Sequence, residues 1–295
     1  MKETKQAQIL KLGIPAGSLQ TATIELFNRA GFEISEADRS YMPSINDPQI
    51  QLVCLRAQEM SRYVEDGVLD AGITGYDWIM ENGSDVIEAA ELAYSKTSGR
   101  PVRWVLAVPN ESAVNSPEQL NGGIIATELV NVTRRYFADK KIDVKVEFSW
   151  GATEIKARLV DAIVELTETG SSLRANNLKI IDTIISSTTR LIANKPAWQD
   201  KFKREKIENI AILLKAAIDA RSRVGLKMNV KKSELESILK ILPAEKSPTI
   251  SDLADSNYAA IEVIIEEETE RSLVPALKRA GASGIITYPL NKVIH

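Results

Sequence analysis

Short apolar runs recur along this chain between longer segments whose apolar residues return every three or four positions. Residues 9–14, 51–55 and 70–74 read as buried strands, the last running into Gly75. Pro15-Ala16-Gly17-Ser18 is a turn. Residues 19–30 and 58–67 carry helical periodicity, and Gly31 closes the first of them. The alternation continues with a strand at 102–108, a short helix at 116–120, a strand at 123–127, a helix at 130–140, a strand at 144–148 and a helix at 152–158. This pattern predicts an α/β fold with mainly parallel sheets. A polar break, KTSGRP, falls near residues 96–102 and separates two lobes. The apolar runs in 180–194 are expected to return the chain to the first lobe. Lobe I is therefore 1–98 with 180–220, and lobe II is 99–179. Residues 195–223 read as one long helix, with Trp198, Phe202, Ile207, Ile210, Leu214 and Ile218 on its apolar stripe and its charges on a solvated face. From residue 221 the order becomes β-α-β-β-α-β, that of a ferredoxin-like module over 221–295. The exposed edges of such a module commonly pair with other chains.

The stretch LVDAIVELTETGSSLRANNL, residues 159–178, carries the most chemistry. An apolar run holding Asp161 and Glu165 leads into a hydroxyl-rich turn and then a helix start. Such a turn aims several backbone N–H groups one way, and the helix dipole adds partial positive charge. Thr169, Ser171 and Ser172 add hydroxyl donors, and Gly170 permits close backbone approach. The expected guest is a phosphate, and a carboxylate just upstream suits sugar hydroxyls. The bland alternative is an ordinary helix cap with no ligand.

Composition narrows the chemistry. The 295 residues suffice for two or three domains. A net charge of -3 gives no global preference for nucleic acid. The single cysteine, Cys54, lies in an apolar run and reads as a small core residue. The single histidine is His295, so histidine-based triads, acid–base pairs and His-rich metal sites are excluded. The polar start MKETKQAQ shows no secretory signal, and no apolar run has the length of a membrane span. A cytoplasmic protein is expected.

Several motifs in order resemble the long form of the ATP phosphoribosyltransferases of histidine biosynthesis, across nearly the whole chain. They are LGIPAGSL from residue 12, VCLRAQEM from 53, GVLDAGITGYD from 67, IIATELVNVTRRYF, DAIVELTETGSSLRANNL, ILPAEKSPTISDLAD and LKRAGASGIITYPLNKVI. The resemblance implies a two-lobed, periplasmic-binding-protein-like catalytic part and a C-terminal ferredoxin-like (ACT-like) regulatory domain. It implies Mg²⁺-dependent condensation of ATP with phosphoribosyl pyrophosphate to phosphoribosyl-ATP and pyrophosphate, inhibited by histidine, in a homo-oligomer of hexameric form. The nucleophile is a ring nitrogen of the substrate, so the absence of activated Ser, Cys or His is no obstacle. A non-catalytic amino-acid-sensing regulatory or ligand-binding protein of the same fold is the alternative.

By the same resemblance, Glu165 holds the ribose hydroxyls, and Glu168, Thr169, Gly170, Ser171 and Ser172 clasp the 5-phosphate. The Glu168 side chain is expected to point away from that anion. Asp161 orders the strand. Arg56, Asp70, Ala71, Gly72 and Thr74 are the ATP-side candidates. Against them stand an Arg56 ion pair with Glu59 or Asp70, and an Asp70 that only caps backbone. Arg39 is a weaker phosphate candidate. Asn229, Ser247, Thr249 and Gly284 are the expected histidine contacts, and Ser247-Pro248-Thr249 could equally be a plain turn. Two departures stand out. Many family members have Lys and Arg where this chain has Ala16 and Ser18, and Glu128-Leu129-Val130 replaces the usual residues after the Ile-Ala-Thr strand. Lys11, Arg100 or Arg103 are the possible substitutes for the lost cations.

Overall fold

The computed structural model describes residues 8–35, 41–94, 101–243 and 248–294. Two compact units divide after Ala211. In chain order the first begins with β1 (Leu10–Ala16), α1 (Gln20–Ala30), β2 (Ile34–Ser35), β3 (Ser44–Ile45), β4 (Ile50–Arg56), α2 (Ala57–Glu65), β5 (Ala71–Gly75), α3 (Tyr76–Asn82) and β6 (Ile87–Leu92). It continues with β7 (Val102–Pro109), β8 (Ile124–Thr127), α4 (Val130–Asp139), β9 (Lys145–Phe148), α5 (Thr153–Lys156), β10 (Ala162–Thr167), α6 (Ser171–Ala175), β11 (Leu178–Ser187), β12 (Thr189–Ala193) and α7 (Lys195–Gln199). Helix α8 (Lys201–Asp219) runs across the division.

The first unit holds two five-stranded sheets, ordered β4-β1-β5-β12-β6 and β11-β7-β10-β8-β9. This is the two-lobed arrangement expected. Both sheets are mixed rather than mainly parallel: β12 runs antiparallel to β5 and β6, and β7 antiparallel to β10 and β11. These antiparallel partners are far apart along the chain, and periodicity carries no sign of strand direction. The return to lobe I also falls later than residue 180. Strand β11 belongs to the second sheet, and β12 is the returning strand.

Local chemistry fixes several of these elements. Gly31 takes φ 98° and closes α1, donating its N–H to the carbonyls of Phe27 and Asn28. Gly72 lets α2 lie close on the sheet, because a Cβ there would meet Met60 Sδ at 2.7 Å. Helix α4 lacks a side-chain cap of its own. Glu81 of α3 supplies one, its carboxylate accepting from Asn131 and Val132 N–H at 2.9 Å each. Asp161 accepts from Ile124 N–H at 2.8 Å, in the ordering role expected of it. Cys54 is buried and forms no disulfide among the described residues.

The expected helix at 195–223 is two helices. Pro196 opens α7, and Asp200 adopts an extended backbone and receives Lys203 N–H at 2.9 Å. Helix α5 is a single turn, and β10 starts only at Ala162, since Leu159 is exposed.

The second unit contains β13 (Arg223–Lys231), α9 (Leu235–Ile241), β14 (Thr249–Asp252), β15 (Tyr258–Glu266), α10 (Glu270–Arg279) and β16 (Ser283–Pro289). Its antiparallel sheet is ordered β14-β15-β13-β16, the ferredoxin-like topology expected. Leu226, Met228, Val230, Ile238, Ile261 and Leu277 are central to its core.

Candidate functional site

A cavity of about 470 Å³ opens within the first unit, in the size range of small-molecule sites. Residues from both lobes line it. The first lobe contributes Ala16, Ser18, Arg56, Gln58, Gly75, Asp77, Trp78 and Tyr94. The second contributes Trp104, Glu128, Glu165, Leu166, Thr167 and Glu168, and the connection between sheets adds Ser187, Thr188 and Thr189. The ends of β1, β4, β8 and β10 thus converge on one space, as in open α/β sheets.

Glu165 sits partly buried near the end of β10. Its carboxylate accepts from Leu166 N–H at 2.9 Å and from the Thr153 hydroxyl. Burial pushes Glu165 up to about 7, and the negative charges of Glu154 and Glu128 add to the rise. Glu128 is also pushed upward by burial, opposed by a hydrogen bond from Gln58 and by the charge of Lys156. The Lys156 ammonium is tied to Ser149 Oγ at 2.7 Å.

The hydroxyl-rich turn follows at once. Thr167 Oγ1 accepts from Gly170 N–H at 2.8 Å, and Gly170 takes φ 74° before α6. Thr169 and Ser171 hydroxyls bond each other at 3.0 Å, and Ser172 donates to Glu154. Arg174 donates to the Thr169 carbonyl at 3.0 Å. Ser171 N–H also reaches Thr169 Oγ1 at 3.4 Å, so two amides of the turn are committed within it. The cavity reaches Glu168, while Thr169, Gly170, Ser171 and Ser172 lie beyond its lining, with Ser171 and Ser172 exposed to solvent.

The ATP-side candidates separate. Arg56 caps β4 on the cavity wall, and its guanidinium stands over Gly17, where a Cβ would meet it at 3.1 Å. Asp70, Ala71, Gly72 and Thr74 do not line the cavity. Asp70 is buried and bonded to Lys203 Nζ at 2.7 Å and Lys11 N–H at 2.8 Å. Thr74 donates to the Ala57 carbonyl at 2.7 Å. These four secure β5 to its neighbours. Asn229 and Gly284 are adjacent in the second unit, a Cβ on Gly284 falling 3.3 Å from Asn229 Nδ2. Thr249 lies on β14, with β15 between it and β13. Arg39, Arg100 and Ser247 lie outside the described residues.

Asp77 lines the cavity and was missed by sequence reasoning. It is 4% exposed and accepts from Trp104 Nε1 at 2.6 Å and Ser187 Oγ at 2.8 Å. Burial raises its pKa, with those hydrogen bonds opposing. Trp78 and Trp104 meet edge to face, ring centroids 5.9 Å apart. The chain contained Asp77 within a quoted motif, but its partners are 27 and 110 residues away.

Ala16 and Ser18 both line the cavity, where many family members were expected to carry cations. The described lining holds one cation, Arg56, against Asp77, Glu128, Glu165 and Glu168. Lys11 and Arg103 are not part of it. Among the described residues no group of three or more His, Cys, Asp or Glu side chains is placed to hold a metal ion. None of the described helices is long and apolar enough to cross a membrane.

Two mixed sheets facing a shared cavity, with a carboxylate beside a hydroxyl-rich turn at one strand end, define a two-lobed α/β protein with a small-molecule cleft. Residues 56–216 match the family model described as ATP phosphoribosyltransferase, and 220–292 match that of the HisG C-terminal domain. The chain belongs to the ATP phosphoribosyltransferase family, in its long form. It is 58% identical over 287 residues to the ATP phosphoribosyltransferase of Chlorobium phaeobacteroides, covering 97% of this chain and 98% of that one. It is 57% identical to that of Pelotomaculum thermopropionicum, covering 97% and 99%. Among solved structures, the ATP phosphoribosyl transferase (HisG:HisZ) complex from Thermotoga maritima matches at 27% identity and a TM-score of 0.60, over 70% of this chain and 99% of that one.

Proposed function

We propose that the chain condenses ATP with phosphoribosyl pyrophosphate, the first step of histidine biosynthesis. The observation that carries this reading is the position of Glu165, on the wall of a two-lobed cavity and directly before the 167–172 turn. A ring nitrogen of adenine attacks the anomeric carbon, and pyrophosphate leaves. The protein must align two substrates, steady positive charge on the ribose and offset negative charge on the leaving group. Glu165 accepts hydrogen bonds from the ribose hydroxyls. Glu168 to Ser172 hold the 5-phosphate through main-chain N–H and hydroxyl donors, with Glu168 turned aside. Arg56 is placed for the polyphosphate, since a guanidinium suits bidentate contact with such oxygens.

With one cation against four carboxylates in its lining, the cavity alone attracts polyanions poorly. Mg²⁺ carried on substrate phosphates fits this donor set, because Mg²⁺ takes one or two carboxylates plus phosphate oxygens rather than a full protein cage. Glu165, the lining carboxylate directly before the turn, is the one that would complete its shell. When bound, Mg²⁺ neutralises charge on the departing pyrophosphate.

The second unit binds histidine as feedback inhibitor through Asn229, Ser247, Thr249 and Gly284, and the chain works as a cytoplasmic homo-oligomer of hexameric form. The small polar character of these positions and the exposed edge strand β14 support that reading.

Purified protein given ATP, phosphoribosyl pyrophosphate and Mg²⁺ should release pyrophosphate with a rise in near-ultraviolet absorbance, slowed by added histidine. A folded sample that makes no pyrophosphate from fresh substrates, without histidine, sinks the proposal. Chelation with EDTA should abolish turnover, and full activity in excess chelator would remove Mg²⁺ from it.

A further inference from the structure

Strands β8 and β10 run parallel, with Ala162 beside Ile125, Ile163 beside Ala126 and Val164 beside Thr127. Extended one residue past the end of β8, this register places Glu128 next to Glu165, which lies within β10. Neighbouring strands lie about 4.8 Å apart, and residues in the same register share a face. Both carboxylates line the cavity, and both are partly buried. Gln58, from the other lobe, donates a hydrogen bond to Glu128 and also lines the cavity. Gly151 is a further neighbour, since a Cβ there would lie 3.9 Å from Glu128 Oε1. Glu128 is therefore held on the wall next to Glu165 and not turned out to solvent.

A carboxylate in this place does nothing for phosphates, which it repels. It suits a hydrogen-bond donor that becomes more positive during the reaction. The attacking base provides one. When the N1 lone pair bonds to the anomeric carbon, the bond from that carbon to pyrophosphate oxygen breaks, and its electron pair leaves on pyrophosphate. The base gains one positive charge, shared between N1 and the exocyclic amine, and the leaving group gains the matching negative charge. No proton has to move in this step. The amine is attached next to N1, so it lies beside the ribose that Glu165 faces. A carboxylate on the amine binds the charged state more tightly than the neutral base, which accelerates the reaction.

We infer that Glu128 accepts a hydrogen bond from the exocyclic amine of the attacking adenine, beside Glu165 on the ribose. The inference rests on the phosphoribosyl transfer proposed above. It makes the residue that departs from the family pattern at this strand end a contact for the base.

The test uses the full chain with ATP and with purine riboside 5′-triphosphate, which keeps N1 and lacks the amine. Glu128→Leu should lower kcat/KM for ATP by about tenfold to a hundredfold, the range of a hydrogen bond to a charged group. It should change the rate with the amine-free nucleotide little, and leave KM for phosphoribosyl pyrophosphate unaltered. Glu128→Gln, near in shape and able to keep an acceptor oxygen, should fall between the two, and it gives the answer if the Leu variant misfolds. If Glu128 only braces Gln58, both nucleotides will slow by the same factor, and the inference is overturned. Unchanged ATP turnover in both variants overturns it as well. A wild-type chain that uses neither nucleotide would remove the phosphoribosyl-transfer reading, and this inference with it.

Discussion

The indole N–H of Trp104 donates to the buried carboxylate of Asp77 at 2.6 Å, joining β7 of one lobe to α3 of the other. Ser187, at the end of β11, completes the contact. Removing the carboxylate leaves two buried donors without an acceptor, each costing about 1–3 kcal/mol. Part of this is offset, because burial already penalises the charge. Asp77→Leu is expected to destabilise the protein by about 2–4 kcal/mol in urea unfolding. Asp77→Asn, which keeps an acceptor oxygen, should cost less. Equal losses in the two variants would refute the account.

Glu165 yields a pH prediction. Its pKa rises from the ordinary 4.5 to about 7 in the folded chain. The folded state therefore holds a proton between those values that the unfolded state has released. Stability contributed by this group is present below the unfolded pKa and is lost as pH rises through about 7. Glu165→Gln removes the titration. The variant should match wild type in thermal midpoint near pH 5 and exceed it near pH 8. A gap that stays constant with pH would contradict the raised pKa.

Arg56 is the one cation in the described lining of the cavity. Arg56→Ala should reduce kcat/KM by about tenfold to a hundredfold or more, the range of a lost charge-assisted hydrogen bond. Arg56→Lys should recover only part, since an ammonium cannot make the bidentate contact. Steady-state kinetics varying each substrate in turn decides this. Full recovery by Lys would mean that only net charge matters.

Gly170 combines a left-handed backbone with a crowded flank, because a Cβ would meet Arg174 Nη1 at 2.9 Å. Gly170→Ala is expected to cost about 1–2 kcal/mol of stability from the backbone alone. It should also push Arg174 from the Thr169 carbonyl and weaken sugar-phosphate binding. Calorimetry with phosphoribosyl pyrophosphate, alongside urea unfolding, separates the two effects. Unchanged binding in a folded variant would detach this turn from the 5-phosphate.

Much of this architecture could be read from residue pattern, and the exceptions have physical causes. Strands such as β7 and β10 announce themselves as apolar runs, and the βαββαβ order of the second unit follows from periodicity alone. Helix α3 and strand β6 were not predicted. The helix is seven residues long, and β6 contains Glu88, Ala89, Ala90 and Glu91, residues without strong strand preference. The break at Asp200 was legible in principle, since an Asp three residues before a backbone donor is a capping signal. The site divided along similar lines. Glu165 and Arg56 sit next to strand ends, where local sequence points to them. Glu128 drew notice only as a departure, because its pairing with Glu165 depends on β8 and β10 becoming neighbours. Asp70 and Gly72 fall outside the cavity lining, and their neighbours Lys203 and Met60 are distant or unremarkable in sequence.

The position of β12 inside the first sheet has a consequence for synthesis. Strand β6 is joined to that sheet only through β12, which is made about a hundred residues later. The second sheet, by contrast, is drawn entirely from the continuous span between them. A ribosome thus delivers a complete second lobe while the first still lacks an interior strand, so the later-made lobe is the earlier to mature. Limited proteolysis of a fragment ending at Thr188 should find the second sheet protected and the first open, whereas equal protection of both would rule out this order.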